Sequence, residues 1–202
     1  MSLVSIDLEI AVNTASPVLA ALIKHLEDAT RLHVLMADRT ERLTRDYLAD
    51  LGNTRHATAD RLGATPTGIL GRAAESPEGT GTRDAVVLTM RPAEVLARAF
   101  HDVEIVPRAG KKFLTIPIHR TSYGKRAGEF DDLLFITTRS GAKLLIRRAA
   151  NGNLIPMFLL VQKVDQKQDR TLLPSDDAYL EEMEAAAEDM LLEIDRKEGL
   201  TT

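Results

Sequence analysis

The sequence predicts an α+β protein: a mostly antiparallel sheet or small sandwich, with N-terminal helices and a long C-terminal helix. Three observations carry this. Short apolar runs between residues 85 and 164 are broken by tight-turn signals. Helical periodicity precedes residue 52. A further helical pattern, with start and stop signals, follows Pro174. At 202 residues, 44% hydrophobic and 28% charged, the chain has the composition of a globular protein rather than a disordered one. It has no Trp, three Tyr and five Phe, so its core must come mostly from Leu, Ile, Val and Ala.

Along the chain, Val4, Ile6, Leu8, Ile10 and Val12 alternate with Ser5, Asp7 and Glu9, which suits a half-buried strand or a short arm. Ser16-Pro17 reads as a helix start, with Ser as cap and Pro in the first turn. Leu19, Leu22, Ile23 and Leu26 follow at helical spacing. Leu32, Leu35, Met36, Leu43, Tyr47, Leu48 and Leu51 continue the pattern, and Gly52-Asn53 is the expected stop. This gives two helices, or one kinked near residue 29. A segment rich in Thr and Gly follows, with one short helix expected over Thr67–Ala74 and a turn-rich connection, AAESPEGTGTRD, after it.

The strand-like runs are Ala85–Met90, Val103–Val106, Phe113–Ile118, Leu133–Thr138, Ala142–Arg147 and Leu154–Val164. Ser140-Gly141 and Asn151-Gly152-Asn153 read as hairpin turns. Ala93–Phe100 suits a short helix after Arg91-Pro92. Ser175-Asp176-Asp177 starts the last helix, with acids at its positive end. Leu180, Met183, Ala187, Met190, Leu191 and Ile194 form its expected buried face. The resulting division is an N-terminal arm and helical region, 1–52, and an α+β domain, 53–202, together forming one structural unit.

Charge is unevenly placed. The net charge is −4. Between Ile105 and Gly128 there is no Asp or Glu, while Arg108, Lys111, Lys112, Arg120, Lys125 and Arg126 are all basic. Between Ser175 and Glu198 there are ten acids against Arg196 and Lys197. Opposite patches of this kind attract each other within a subunit or between neighbours.

Catalytic signals are missing. There is no cysteine, so disulfides, thiolate metal sites and Cys nucleophiles are excluded. His25, His33, His56, His101 and His119 form no metal-binding spacing. There is no G-x-S-x-G, P-loop or G-x-G-x-x-G, and Gly79-Thr80-Gly81 reads as linker. Glu129, Asp131 and Asp132 read as solvated acids at a loop–strand junction. The expectation is a non-enzyme without cofactor or metal. No apolar run approaches the roughly 18 residues that span a bilayer, so no membrane partner is expected. The acidic N-terminus does not read as a signal peptide, and cytosolic synthesis is the default.

The stretch KKFLTIPIHRTSYGKRAGEFDDLLFITT, residues 111–138, carries a resemblance. Leu114-Thr115-Ile116-Pro117, Tyr123-Gly124 and Glu129-Phe130 before an apolar strand resemble a segment of tailed-phage virion morphogenesis proteins, the tail-completion and head–tail joining proteins. His101, Ile105 and Pro107 match a preceding motif in outline, although Asp102 and Val103 replace its two glycines. Asn53-x-Arg55-His56 and Leu173-Pro174 are further matches. The resemblance implies a small α+β subunit of a ring or collar, made in the bacterial host cytoplasm and placed at the virion tail or head–tail joint. Its partners would be copies of itself and other phage head or tail proteins, with non-specific DNA contact through phosphates. No catalytic residue is implied. Lys111, Lys112, Arg120, Lys125 and Arg126 are the candidate assembly and DNA-channel contacts. The competing reading is an intracellular protein- or nucleic-acid-binding module that uses the basic segment 108–126.

Overall fold

A computed structural model of the chain describes residues 23–24 and 27–198. The expected strand over 3–12 and the helix start at Ser16 lie outside the described residues. The protein is α+β. Its helices are α1 (Thr30–Thr54), α2 (Ala57–Leu62), α3 (Ile69–Ala74), α4 (Ala93–Leu96) and α5 (Asp176–Glu198). Its strands are β1 (Glu78–Gly81), β2 (Val86–Thr89), β3 (Val103–Ile105), β4 (Leu114–Pro117), β5 (Leu133–Thr137), β6 (Lys143–Arg148), β7 (Leu154–Val161) and β8 (Val164–Gln166). The chain divides into two compact units, each built from separate segments: 1–42, 78–88 and 176–202 in one, 43–77 and 89–175 in the other. Residue 52, the sequence-based boundary, falls within α1.

In the first unit, Asp28 caps α1 by accepting the Thr30 N–H at 3.0 Å. Ala37 and Thr40 form its buried stripe. Thr40 is admitted there because its hydroxyl donates to the Met36 carbonyl at 2.8 Å. The expected turn-rich connection instead contains β1, paired with β2. Gly79 and Gly81 are therefore contact residues. A Cβ at Gly79 would sit 2.5 Å from the Ala37 carbonyl oxygen, and one at Gly81 2.2 Å from the Val34 nitrogen. Backbone meets backbone here, which only glycine allows.

The buried face of α5 is centred on Ala186, Met190 and Ile194. The expected face is corrected: Leu180 is 55% exposed and Leu191 50%. They lie roughly 120–140° round the helix from Ala186, at 100° per residue. Beside the buried face, α1 presents arginines to the acids of α5. Arg39 pairs with Glu182 at 3.1 Å and with Asp189, and Arg31 pairs with Glu193.

In the second unit, Leu48 of α1, Leu70, Ala73 and Ala74 of α3, Leu96, Ala99, Leu172 and Leu173 form one buried cluster. The expected helix stop at Gly52 is also corrected. The helix continues to Thr54. A Cβ at Gly52 would meet the Gly71 nitrogen of α3 at 2.6 Å, so this glycine marks a helix crossing.

The strands of this unit form two sheets. β3 pairs antiparallel with β8. The larger sheet has the order β4-β7-β6-β5, with all neighbours antiparallel. Both predicted hairpin turns are present, with Gly141 at φ 83° and Gly152 at φ 84°, where glycine avoids the Cβ clash. β7 carries a bulge: Phe158 pairs with Leu145 and Pro156 with Ile146, which leaves Met157 as the extra residue.

Candidate functional site

The basic loop after β4 is built on that bulge. Pro117, opposite Phe158, has no N–H to give, and the chain leaves the ladder after it. The Met157 carbonyl accepts the Ile118 N–H at 3.0 Å. It also accepts the Ser122 hydroxyl at 2.7 Å. The same hydroxyl lies 2.8 Å from the His119 carbonyl. Ser122 is fully buried, at 0% exposure. One serine thus ties the loop to the sheet.

Beyond Ser122, Gly124 turns with φ 76°. Arg126 and Glu129 then clasp each other. The Arg126 N–H donates to the Glu129 carboxylate at 2.7 Å, and the Glu129 N–H donates to the Arg126 carbonyl at 3.0 Å. Phe130 returns the chain to the sheet, with its ring edge-on to buried Phe158 at 5.8 Å. Lys125 covers the Phe130 ring at 5.6 Å.

Arg120, Lys125 and Arg126 are exposed on this loop. Lys111 and Lys112 are exposed too, but they precede β4 and lie at its other end. The four residues of β4 separate the groups by roughly 13 Å of extended chain. The five candidate contacts therefore form two groups and not one patch. Lys143 joins the first group, with its ammonium 4.6 Å from the Phe113 ring centre. Among the described residues, none of the five is ion-paired with a carboxylate. That leaves their charge free for an external partner.

The motif residues of the resemblance meet beside this loop. Three of them, Arg55, His56 and Tyr123, line a shallow hollow over the start of α3 together with Thr67. Two of its side chains, Arg55 and His56, are already engaged. His56 Nε2 contacts the Asn53 carbonyl at 2.8 Å. Arg55 holds Asp169 and donates to the Thr171 hydroxyl at 3.1 Å. The Asp169 carboxyl is kept below its ordinary value, first by the Thr171 hydroxyl and then by Arg55, against the opposing effect of burial. These residues fasten one segment to another.

Asp102, standing where the resembled motif has glycine, likewise joins β3 to β8. It accepts from Lys167 at 2.7 Å and from the Gln168 N–H at 2.8 Å. No non-glycine residue with positive φ occurs among the described residues, so the departure from glycine strains nothing.

Of the acids after β4, Asp132 binds Arg147, while Glu129 binds the Arg126 backbone. Among the described residues no three His, Asp or Glu side chains gather as a metal site. No described helix is long and apolar enough to cross a membrane. On α5, Asp176, Asp177, Glu181, Glu184 and Glu188 are exposed and have no ion-pair partner among the described residues. Sequence reasoning missed Ser122, since a lone serine in a basic loop gives no sign of burial. Comparison with known protein families, curated proteins and solved structures finds no match.

Proposed function

We propose that this chain is a non-enzymatic assembly subunit of a tailed phage or prophage, acting in tail completion or head–tail joining as part of an oligomeric ring or collar. The observation that carries the reading is the loop 118–130: its base is fixed by Ser122, and its exposed Arg120, Lys125 and Arg126 lack carboxylate partners among the described residues. Five exposed acids of α5 likewise have no ion-pair partner among the described residues. In a head-to-tail contact, the loop of one copy faces the acidic helix of the next. Such a contact closes into a ring when the rotation between copies allows. On this reading the subunit assembles in the host cytoplasm and ends at the tail or the head–tail joint. Any DNA it meets is held through phosphates alone.

The test is double charge reversal, Lys125→Glu with Arg126→Glu. Both side chains are exposed, so the fold should survive, as circular dichroism would show. Self-association in ultracentrifugation should weaken, and wild-type association should weaken with added salt. Association that is indifferent to the reversal removes the loop from the interface. A salt-sensitive shift of DNA by the wild-type protein, without self-association, would favour the nucleic-acid-binding alternative.

A further inference from the structure

The four-stranded sheet ends in two different edges. β4 is short and carries Pro117, which discourages further pairing. β5, Leu133-Leu134-Phe135-Ile136-Thr137, has no Pro, no charge and no bulge. Among the described residues nothing pairs with its outer side. Leu134 is 48% exposed and Phe135 56%, on opposite faces of the sheet. An edge of this kind is a template for another strand.

The backbone gives the register. Thr138 donates its N–H to the Ala142 carbonyl at 2.8 Å at the base of the hairpin. Antiparallel pairing alternates along the strand, so Leu134 and Ile136 turn their backbone groups toward β6, and Leu133, Phe135 and Thr137 turn theirs outward. A second β5 laid antiparallel with Phe135 opposite Phe135 brings Leu133 opposite Thr137, and every outward group finds a partner. In the same register Asp131 of each copy falls opposite Arg139 of the other. Both residues are exposed, and neither has a partner among the described residues. Centring on Leu133 or Thr137 instead opposes neither charge to the other within the extended stretch.

We infer that β5 pairs with β5 of a second copy about a two-fold axis through Phe135, joining two four-stranded sheets into one of eight and closing Asp131–Arg139 contacts on either side of the axis. The occupant is a second copy because the edge is complementary to itself in hydrogen bonding, apolar surface and charge. The contact is isologous and independent of the loop-to-helix contact proposed above, so either can stand without the other.

Sedimentation equilibrium of the full chain tests this by charge swap. Phe135→Lys places like charges on the axis and, combined with Lys125→Glu and Arg126→Glu to remove the loop contact, should yield monomer. Asp131→Arg and Arg139→Asp should each weaken dimerisation at least about tenfold, since each turns two attractive pairs into repulsive ones. The double variant, Asp131→Arg with Arg139→Asp, should restore the wild-type constant. All three positions are exposed, so circular dichroism should be unchanged. The loop reversal Lys125→Glu with Arg126→Glu should leave this dimer intact. A wild-type chain that stays monomeric overturns the inference. So does a charge swap that fails to restore pairing, which would give the edge to another strand, such as residues 3–12 or a neighbour's β4.

Discussion

Replacing Gly52 by alanine sets two effects against each other. Inside a helix, alanine is favoured over glycine by about 0.5–1 kcal/mol. The new methyl, however, would lie 2.6 Å from the Gly71 nitrogen and 2.9 Å from its Cα. Those are backbone atoms of α3 and cannot rotate away. Carbon contacts are comfortable at about 3.5–4.0 Å, so the two helices must part by most of an ångström. Overpacking of this kind costs about 1–3 kcal/mol, and the parting loosens the neighbouring contacts of Leu48, Leu70 and Ala73. The clash wins, with a net loss of about 1–2 kcal/mol. At about 2–4 °C per kcal/mol for a chain of this length, the melting temperature falls by about 2–8 °C.

Gly71→Ala is the control. Its Cβ meets nothing within 4 Å, so only the helix preference remains and stability should rise by up to about 1 kcal/mol. Urea unfolding of the two variants gives both signs. A Gly52→Ala protein as stable as wild type, or a Gly71→Ala protein equally damaged, would refute this account of the crossing.

Ser122→Ala removes the loop's tether while leaving the Met157 carbonyl its bond from Ile118, so the loss should be about 1 kcal/mol. Hydrogen exchange should accelerate at the Ser122 and Lys125 amides, which bond to the His119 and Ser122 carbonyls; unchanged protection there would contradict the anchoring role. The Glu193 carboxyl is drawn from 4.5 to about 2 by its bond to Lys197 and then by Arg31. A depressed carboxylate stabilises the fold above its unfolded value, and that contribution fades as pH falls from 4.5 toward about 2. Glu193→Gln should therefore be less stable than wild type at neutral pH, with the gap closing across that window in pH-dependent melting; a constant gap would count against the linkage.

The strands were legible because their signals are local. Most apolar runs from Ala85 to Val164 have Gly, Asn or Pro near one end, and the two hairpin glycines sit at the positive φ that their turns require; the run Leu154–Val164, with no such signal at Gln162-Lys163, is split into β7 and β8. The start of α5 was legible for the same reason, since Ser175-Asp176-Asp177 suits the end of any helix. Other features were not legible from sequence. Gly52 looked like a stop and Gly79-Thr80-Gly81 like a linker, because a glycine that permits close approach cannot be told from one that ends an element until the opposing backbone is in place. The buried face of α5 was partly legible: Met190 and Ile194 are buried as expected, but hydrophobicity also pointed to Leu180 and Leu191, which are exposed, while Arg31 and Arg39 of α1 pair with acids along the opposite flank. Site residues followed the same rule. Exposure of Lys111, Lys112, Arg120, Lys125 and Arg126 was readable from charge, but their separation into two groups depended on β4 lying extended between them.

By itself, then, the sequence determined the fold class, the turns and the segregation of charge, since periodicity, backbone freedom and ionisation belong to residues and their near neighbours. Only the tertiary structure decided which glycines are contacts, that a bulge at Met157 holds the basic loop through Ser122, and that β5 is left as an uncovered edge. Those depend on which distant backbones meet, and no local pattern records it.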